Sequence, residues 1–118
     1  MWPAAFDQVI AVGATDENGK LAPFSPQTPW VDLTAPGVNV ESTYLVGEVE
    51  LASTKGVATA DSSGFARWDG TSFAAAAVSG AAAAKILPGR RDAWQALAYV
   101  RAARGGDIRP YTKPRPRV

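Results

Sequence analysis

The stretch DGTSFAAAAVSGAAAA, at residues 69–84, constrains the fold of this chain more than any other feature. Its alanine content predicts a helix over about Ser72 to Leu87, ended by a Pro-Gly pair. Methyl groups cover nearly every face, so neighbouring elements can approach from all sides, as they do around a central, buried helix. Gly80 costs about 1 kcal/mol relative to Ala within a helix. We therefore expect Gly80 to mark a tight contact with a neighbouring element.

Short strands are predicted before this helix. The run VIAVGA at residues 9–14 is continuously apolar, which is typical of a strand buried on both faces in a parallel sheet. The DENG sequence at 16–19 predicts a turn. Extended structure is expected again at 30–33, continuing to 35–37, and a further brief strand at 38–40.

An exposed antiparallel ribbon is predicted next. Val46, Val49 and Leu51 alternate with glutamates between Tyr44 and Thr54, and Phe65–Trp68 could supply the return arm. The intervening residues 59–64 are polar and are expected to form a loop.

The C-terminal part is predicted to hold one more helix and a tail. Residues 92–104 place Trp94, Leu97, Ala98 and Arg101 at helical spacing, and Gly105 and Gly106 would end this helix. The sequence RPYTKPRPRV after Asp107 is basic and interrupted by proline, so residues 107–118 are expected to be disordered.

Composition limits the class of protein. With 118 residues, 47% hydrophobic and 19% charged, the chain is globular and forms one domain or part of one. The absence of cysteine excludes a disulfide framework and a thiolate metal site. No apolar run is long enough to predict a membrane span, and MWPAAFDQ lacks the charged and apolar regions of a signal peptide.

Charge is distributed unevenly along the chain. Residues 1–84 hold three basic and nine acidic side chains, a balance of −6, whereas residues 85–118 hold nine basic and two acidic ones, a balance of +7. A basic end of this kind can bind nucleic acid. Because no aromatic residues are interleaved in a stacking pattern, we expect a solvated tail and no nucleic-acid partner.

The Gly-Thr-Ser step at the start of the alanine helix has two interpretations. Asp69, Thr71 or Ser72 could cap the helix by accepting a backbone N–H bond, which is worth about 1 kcal/mol. Alternatively, Ser72 could be a nucleophile, because a helix N-terminus offers free N–H donors to a developing oxyanion. Gly70 would then leave room for a substrate. These residues alone leave both possibilities open.

Longer matches favour the nucleophile. The sequences GTSFAA at 70–75 and VSGAAA at 78–83 resemble the serine motif of the subtilisin-like proteases, G-T-S-M/F-A-x-P-H-V-A-G-A-A-A. Residues 9–43 resemble the family's VIAVGA-D-…-A-FS-…-D-APG-V-I-ST segment, and PAAF at 3–6 matches the sequence that usually precedes it. The similarity extends from Trp2 to Leu87, with an insertion at about 44–68.

The resemblance implies an α/β fold, namely the C-terminal portion of a three-layer subtilisin-like domain with a mostly parallel sheet and a central buried alanine-rich helix. Residues 1–87 would belong to the peptidase domain, 88–106 would form its C-terminal helix, and 107–118 the tail. Much of the shell around the central helix would lie outside these residues, so we expect apolar area to be exposed and the isolated chain to fold poorly.

The resemblance also implies a chemistry. Ser72 corresponds to the catalytic serine of a serine-type endopeptidase that works through an acyl-enzyme, and the backbone of Gly70, Thr71 and Ser72 would support the nucleophile and the oxyanion. Where the family has Pro-His, this chain has Ala76 and Ala77. That histidine is not catalytic, and alanines continue a helix more regularly than proline, so we expect this difference to be tolerated.

The other catalytic groups of the family are missing from this sequence. The aspartate, the histidine and the oxyanion-hole asparagine lie upstream of the matching segment, and the chain contains no histidine. Asp61 and Asp69 are the nearest candidate bases, but each is expected to be a loop or cap residue. General-base assistance typically contributes ~10²–10⁴-fold, so the chain is predicted to be inactive by itself.

Three hypotheses follow from this combination. The chain could be the truncated C-terminal part of a peptidase, a non-catalytic binding or scaffold remnant, or one half of a split enzyme completed by a second chain. The resemblance implies a protein or peptide substrate and a secreted or extracellular location, and it requires the missing N-terminal portion of the domain. No cofactor is evident; calcium sites are frequent in the family, but no ligands can be assigned here.

Overall fold

The computed structural model describes residues 3–46, 59–60, 63–103 and 106–112, and all structural statements below concern these residues. They form a mixed α/β structure, which confirms the predicted class. Its elements, in chain order, are β1 Val12–Thr15, β2 Leu33–Pro36, β3 Val40–Thr43, β4 Thr59–Ala60, β5 Phe65–Trp68, α1 Thr71–Ala83, α2 Ala93–Ala102 and β6 Arg109–Pro110.

The first sheet has the strand order β1-β2-β6. Strands β1 and β2 are parallel, with Val12 opposite Leu33 and Thr15 opposite Pro36, as the apolar run at 9–14 predicted. The turn between them also forms as predicted. The Asp16 carboxylate accepts hydrogen bonds from the backbone N–H groups of Asn18 and Lys20, both at 2.9 Å.

The prediction of a disordered tail is wrong for residues 107–112. Strand β6 lies antiparallel to β2, and the Tyr111 N–H donates to the Asp32 carbonyl oxygen at 3.0 Å. Sequence reasoning missed this strand because Pro110 normally argues against one. Proline is accepted here because β6 is the edge strand. Residues 113–118 lie outside the described part.

The second sheet has the order β3-β5-β4, with both pairings antiparallel. The predicted return arm at residues 65–68 is a strand, but its described partners are β3 and β4. Residues 59–60 were expected in a loop and are paired instead, while residues 47–54 of the predicted ribbon lie outside the described part. The strand predicted at 38–40 begins only at Val40, because Asn39 adopts a φ of 56°.

Helix α1 packs on β1 and β2 through small residues. The buried core between them consists of Ala14, Ala22, Leu33, Ala35, Ala74 and Val78. Ala74 and Val78 are the buried residues of α1, so the helix buries one narrow stripe and exposes apolar surface elsewhere, as the sequence predicted. Gly80 does not mark a tight contact: a Cβ placed there would meet no atom within 4 Å.

Both helices are shorter than predicted. Helix α1 ends at Ala83 and not at Leu87, and α2 covers residues 93–102. Asp92 caps α2 by a reciprocal pair of hydrogen bonds: its carboxylate accepts from the Gln95 N–H at 2.8 Å, and the Gln95 side chain accepts from the Asp92 N–H at 3.0 Å. Arg104 and Gly105, placed at the end of this helix by the sequence, lie outside the described part.

Candidate active site

Ser72 lies in the first turn of α1 and is exposed to solvent. Within the described residues its hydroxyl makes no hydrogen bond. The backbone N–H groups of Thr71 and Ser72 also have no acceptor there, since no preceding helical turn exists to supply one. An unbonded hydroxyl therefore stands beside two unbonded N–H donors at the positive end of the helix.

The capping interpretation of this step is wrong. The N-cap position is occupied by Gly70, in extended conformation, and α1 has no side-chain cap. Asp69 does accept a backbone hydrogen bond, but from elsewhere in the chain: its Oδ1 atom lies 2.6 Å from the Asn39 nitrogen. The hydroxyl of Ser72 is consequently left available for chemistry.

Gly37 joins the start of α1 to the parallel sheet. Its N–H donates to the Thr15 carbonyl oxygen at 3.0 Å, and its own carbonyl oxygen accepts from the Gly70 N–H at 2.7 Å. A Cβ at Gly37 would lie 2.7 Å from both the Ala14 Cβ and the Gly70 oxygen, so only glycine permits this approach. Sequence reasoning placed this residue in the APG segment without assigning it a role.

A proton acceptor for Ser72 is not supplied by the described residues. The chain has no histidine. Of the two acids considered as bases, Asp69 is engaged by Asn39, and Asp61 lies outside the described part. A serine without a positioned base is a weak nucleophile, so the described residues provide a free hydroxyl and two N–H donors but no group that could activate the hydroxyl.

An apolar cavity of about 320 Å³ lies near the start of α1. Phe73, the residue after Ser72, forms one wall, and strands β3 and β5 form the other. The lining consists of Ser42, Thr43, Tyr44, Ala66, Trp68 and Phe73. The rings of Tyr44 and Trp68 are tilted, with centroids 6.1 Å apart. A cavity of this composition can accept an apolar side chain.

A second apolar surface lies along α1, and Ser72 is not part of its lining. This groove has a volume of about 310 Å³ and is lined by Gln8, Ile10, Val12, Ala75, Val78, Ser79, Ala82, Ala93, Trp94 and Leu97. Trp94 is 67% exposed. The edge of β1 at Val12 borders the same groove and pairs with no described strand.

The described ranges contain no group of three or more His, Cys, Asp or Glu side chains that could hold a metal ion. None of the described helices combines the length and apolar character needed to cross a membrane.

Comparison with known proteins agrees with the geometry. A sequence model of the subtilase family matches residues 1–101. Subtilisin Savinase of Lederbergia lenta is 40% identical over 82 residues, covering 70% of this chain and 24% of that protein. The thermophilic serine proteinase of Bacillus sp. strain AK1 is 37% identical over 90 residues, covering 76% and 18%. The extracellular basic protease of Dichelobacter nodosus is 42% identical over 86 residues, covering 72% and 13%. The chain spans less than a quarter of the length of each of these relatives.

Proposed function

The chain belongs to the subtilase family, and from this membership we propose that it carries the nucleophile, Ser72, of a serine-type endopeptidase. The observation that carries the proposal is that the first turn of α1 has unbonded polar groups. The Ser72 hydroxyl and the N–H groups of Thr71 and Ser72 have no partners among the described residues. A structural cap would have used at least one of these groups.

In the proposed reaction, Ser72 Oγ attacks the carbonyl carbon of a peptide bond and its proton passes to a base. The carbonyl oxygen becomes an oxyanion, for which the Ser72 N–H is a donor supported by the Gly70–Thr71 backbone. The intermediate collapses to an acyl-Ser72 and releases the amine, which takes up the proton. Water then hydrolyses the ester and restores the serine. Apart from this water and the substrate, the proposed steps use only protein groups.

The base has to come from residues that this sequence lacks. We propose that an N-terminal portion of the domain, supplied on the same chain or on another, provides the histidine, the aspartate and the asparagine side-chain donor. Two described surfaces support this: the unpaired edge of β1 at Val12, which can accept another strand, and the apolar groove along α1. Both would be buried by such a portion.

Proteins or peptides are the proposed substrates. The apolar cavity beside Ser72 can receive a substrate side chain, with Trp68 and Phe73 in its wall. One relative is named as an extracellular protease, and we propose the same location for this protein.

Hydrolysis of a fluorogenic peptide tests the proposal. Three proteins are compared: the 118-residue chain, the product of the whole reading frame that contains it, and that product with Ser72→Ala. We expect hydrolysis only by the second, since the first lacks a base and the third a nucleophile. If the gene encodes only these 118 residues, the second protein is the mixture of the chain with a subtilase N-terminal portion. Activity that persists in Ser72→Ala would refute the role of Ser72.

A further inference from the structure

We propose that Asp69 is a positioning residue for Ser72, acting through its hydrogen bond to the backbone of Asn39; this rests on the proposed function of Ser72. The bond joins Asp69 Oδ1 to the Asn39 N–H at 2.6 Å, across 30 residues of sequence. Both residues are exposed, so the bond does little to fill the core. Because Asp69 lies three residues before Ser72, this bond can control how the chain enters α1.

The backbone of Asn39 is shaped for this bond. Its φ of 56° makes it the one described non-glycine residue in the left-handed region. Asparagine tolerates this conformation better than most residues, although it remains uncommon. The conformation interrupts the extended chain before β3 and leaves the Asn39 N–H to be satisfied by Asp69 and not by a strand partner.

A second hydrogen bond acts on the next residue. The Gly70 N–H donates to the Gly37 carbonyl oxygen at 2.7 Å. Two consecutive residues before α1 are thus each bound to the 37–39 segment, which is itself attached to β1 through Thr15. Together the two bonds fix the rotation of the chain as it enters the helix, and with it the direction of the Thr71 and Ser72 N–H groups.

The second bond alone would hold this entry poorly. Gly70 has no side chain, and the nearest atom to a Cβ built there is a Phe73 ring carbon at 3.4 Å, an ordinary contact. Gly70 thus has no side chain whose packing could lock the helix entry, and glycine has the widest backbone freedom of any residue. Without the Asp69 bond, the helix entry can rotate about Gly70 and carry Ser72 out of alignment with its base.

Steady-state kinetics with a fluorogenic peptide, on the product of the whole reading frame or the reconstituted complex, test this role. We expect Asp69→Ala to lower kcat about 10- to 100-fold, the scale of a misplacement of about 1 Å, with KM changed less than twofold. Asp69→Asn keeps an acceptor oxygen in place and should stay within twofold of the parent kcat. Asn39→Gly keeps both the N–H donor and the left-handed φ, and should also stay within twofold.

Further variants separate positioning from folding and charge. Asp7→Ala removes another exposed carboxylate, one with no described partner, and should leave kcat unchanged. Asp69→Glu keeps the charge but shifts the acceptor oxygen by a methylene, so we expect a severalfold loss of kcat. If Asp69→Ala does not fold, the comparison of Asp69→Glu with Asp69→Asn decides the matter.

Two results would overturn the positioning role. One is a kcat for Asp69→Ala, or for Asp69→Glu where the alanine variant does not fold, within twofold of the parent. The other is an equal loss in Asp69→Asn and Asp69→Ala. A failure of the proposed function looks different, because hydrolysis would then persist in Ser72→Ala or be absent from the parent protein.

Discussion

Gly37 and Gly70 meet backbone to backbone, with the Gly70 N–H donating to the Gly37 carbonyl oxygen at 2.7 Å. This contact brings the turn after β2 against the residue that precedes α1. It is possible because Gly37 has no side chain, and it brings the start of α1 to the carboxyl end of β2. The position of Ser72 therefore depends on a glycine 35 residues earlier in the sequence.

Gly37→Ala should destabilise the protein. Its Cβ would lie 2.7 Å from the Ala14 Cβ and from the Gly70 oxygen, and 3.3 Å from the Ala74 Cβ, so the helix or the sheet must shift. We expect a loss of about 1–3 kcal/mol in the free energy of unfolding, the usual cost of overpacking. Urea denaturation of the product of the whole reading frame measures it.

Gly80→Ala is the matched control for that substitution. It adds the same methyl group, but in α1 and with no atom within 4 Å in the described structure. The expected change is a gain of up to about 1 kcal/mol from helix propensity. Equal losses in both variants would show that the close approach at Gly37 does not control stability. A loss at Gly80 alone would restore a packing role for that residue.

Ser25→Ala should also destabilise the protein. The buried Ser25 Oγ accepts the Ala14 N–H at 2.9 Å, on the edge of β1 that faces away from β2. Without it that N–H has no partner, at a cost of about 1–3 kcal/mol. Ser42→Ala is the comparison, because the exposed Ser42 hydroxyl has no hydrogen-bond partner among the described residues. A change within about 0.5 kcal/mol is expected there; equal effects would contradict the prediction.

Asp92→Ala should weaken α2. It removes the carboxylate that accepts the Gln95 N–H, and the expected loss is about 1 kcal/mol. Asp92→Asn keeps an acceptor and should lose much less. The midpoint of urea denaturation distinguishes the two. An alanine variant as stable as the parent would mean that the Asp92 cap contributes little to the free energy of unfolding.

The 118-residue chain alone should behave as an incompletely packed domain. Trp94 is 67% and Tyr99 56% exposed, and most alanines of α1 face solvent. We expect it to enhance the fluorescence of ANS, a dye that binds exposed apolar surface, and to show a weak near-UV circular dichroism signal. A cooperative thermal transition without ANS binding would contradict this and would favour a scaffold protein that folds by itself.

The sequence predicted those features that depend on local pattern. The apolar run at residues 9–14 predicted a buried parallel strand, and the alanine-rich segment predicted α1. The β6 pairing escaped prediction because Pro110 is a poor strand residue that only an edge position accepts. The end of α1 was predicted too late. The Pro-Gly pair indicated a stop, but the helix ends earlier, at Ala83.

The sequence singled out Ser72, but not the contacts that hold its segment in place. Ser72 was identified through the motif that contains it. The bond from Asn39 to Asp69 and the contact of Gly37 with Gly70 join residues 30 or more positions apart, and no periodicity reports such contacts. The sequence also did not predict the φ of 56° at Asn39, although asparagine adopts this conformation more readily than most residues.

The nucleophilic role of Ser72 can be measured by covalent labelling. The protein is isolated from its own cells, treated with a fluorophosphonate, digested and examined by mass spectrometry, and its intact mass is recorded. We predict a mass above that of the 118-residue chain, or a second associated chain, and a single adduct on the peptide that contains Ser72. An unlabelled Ser72 in folded native protein, or an adduct confined to another residue, would show that Ser72 is not the nucleophile.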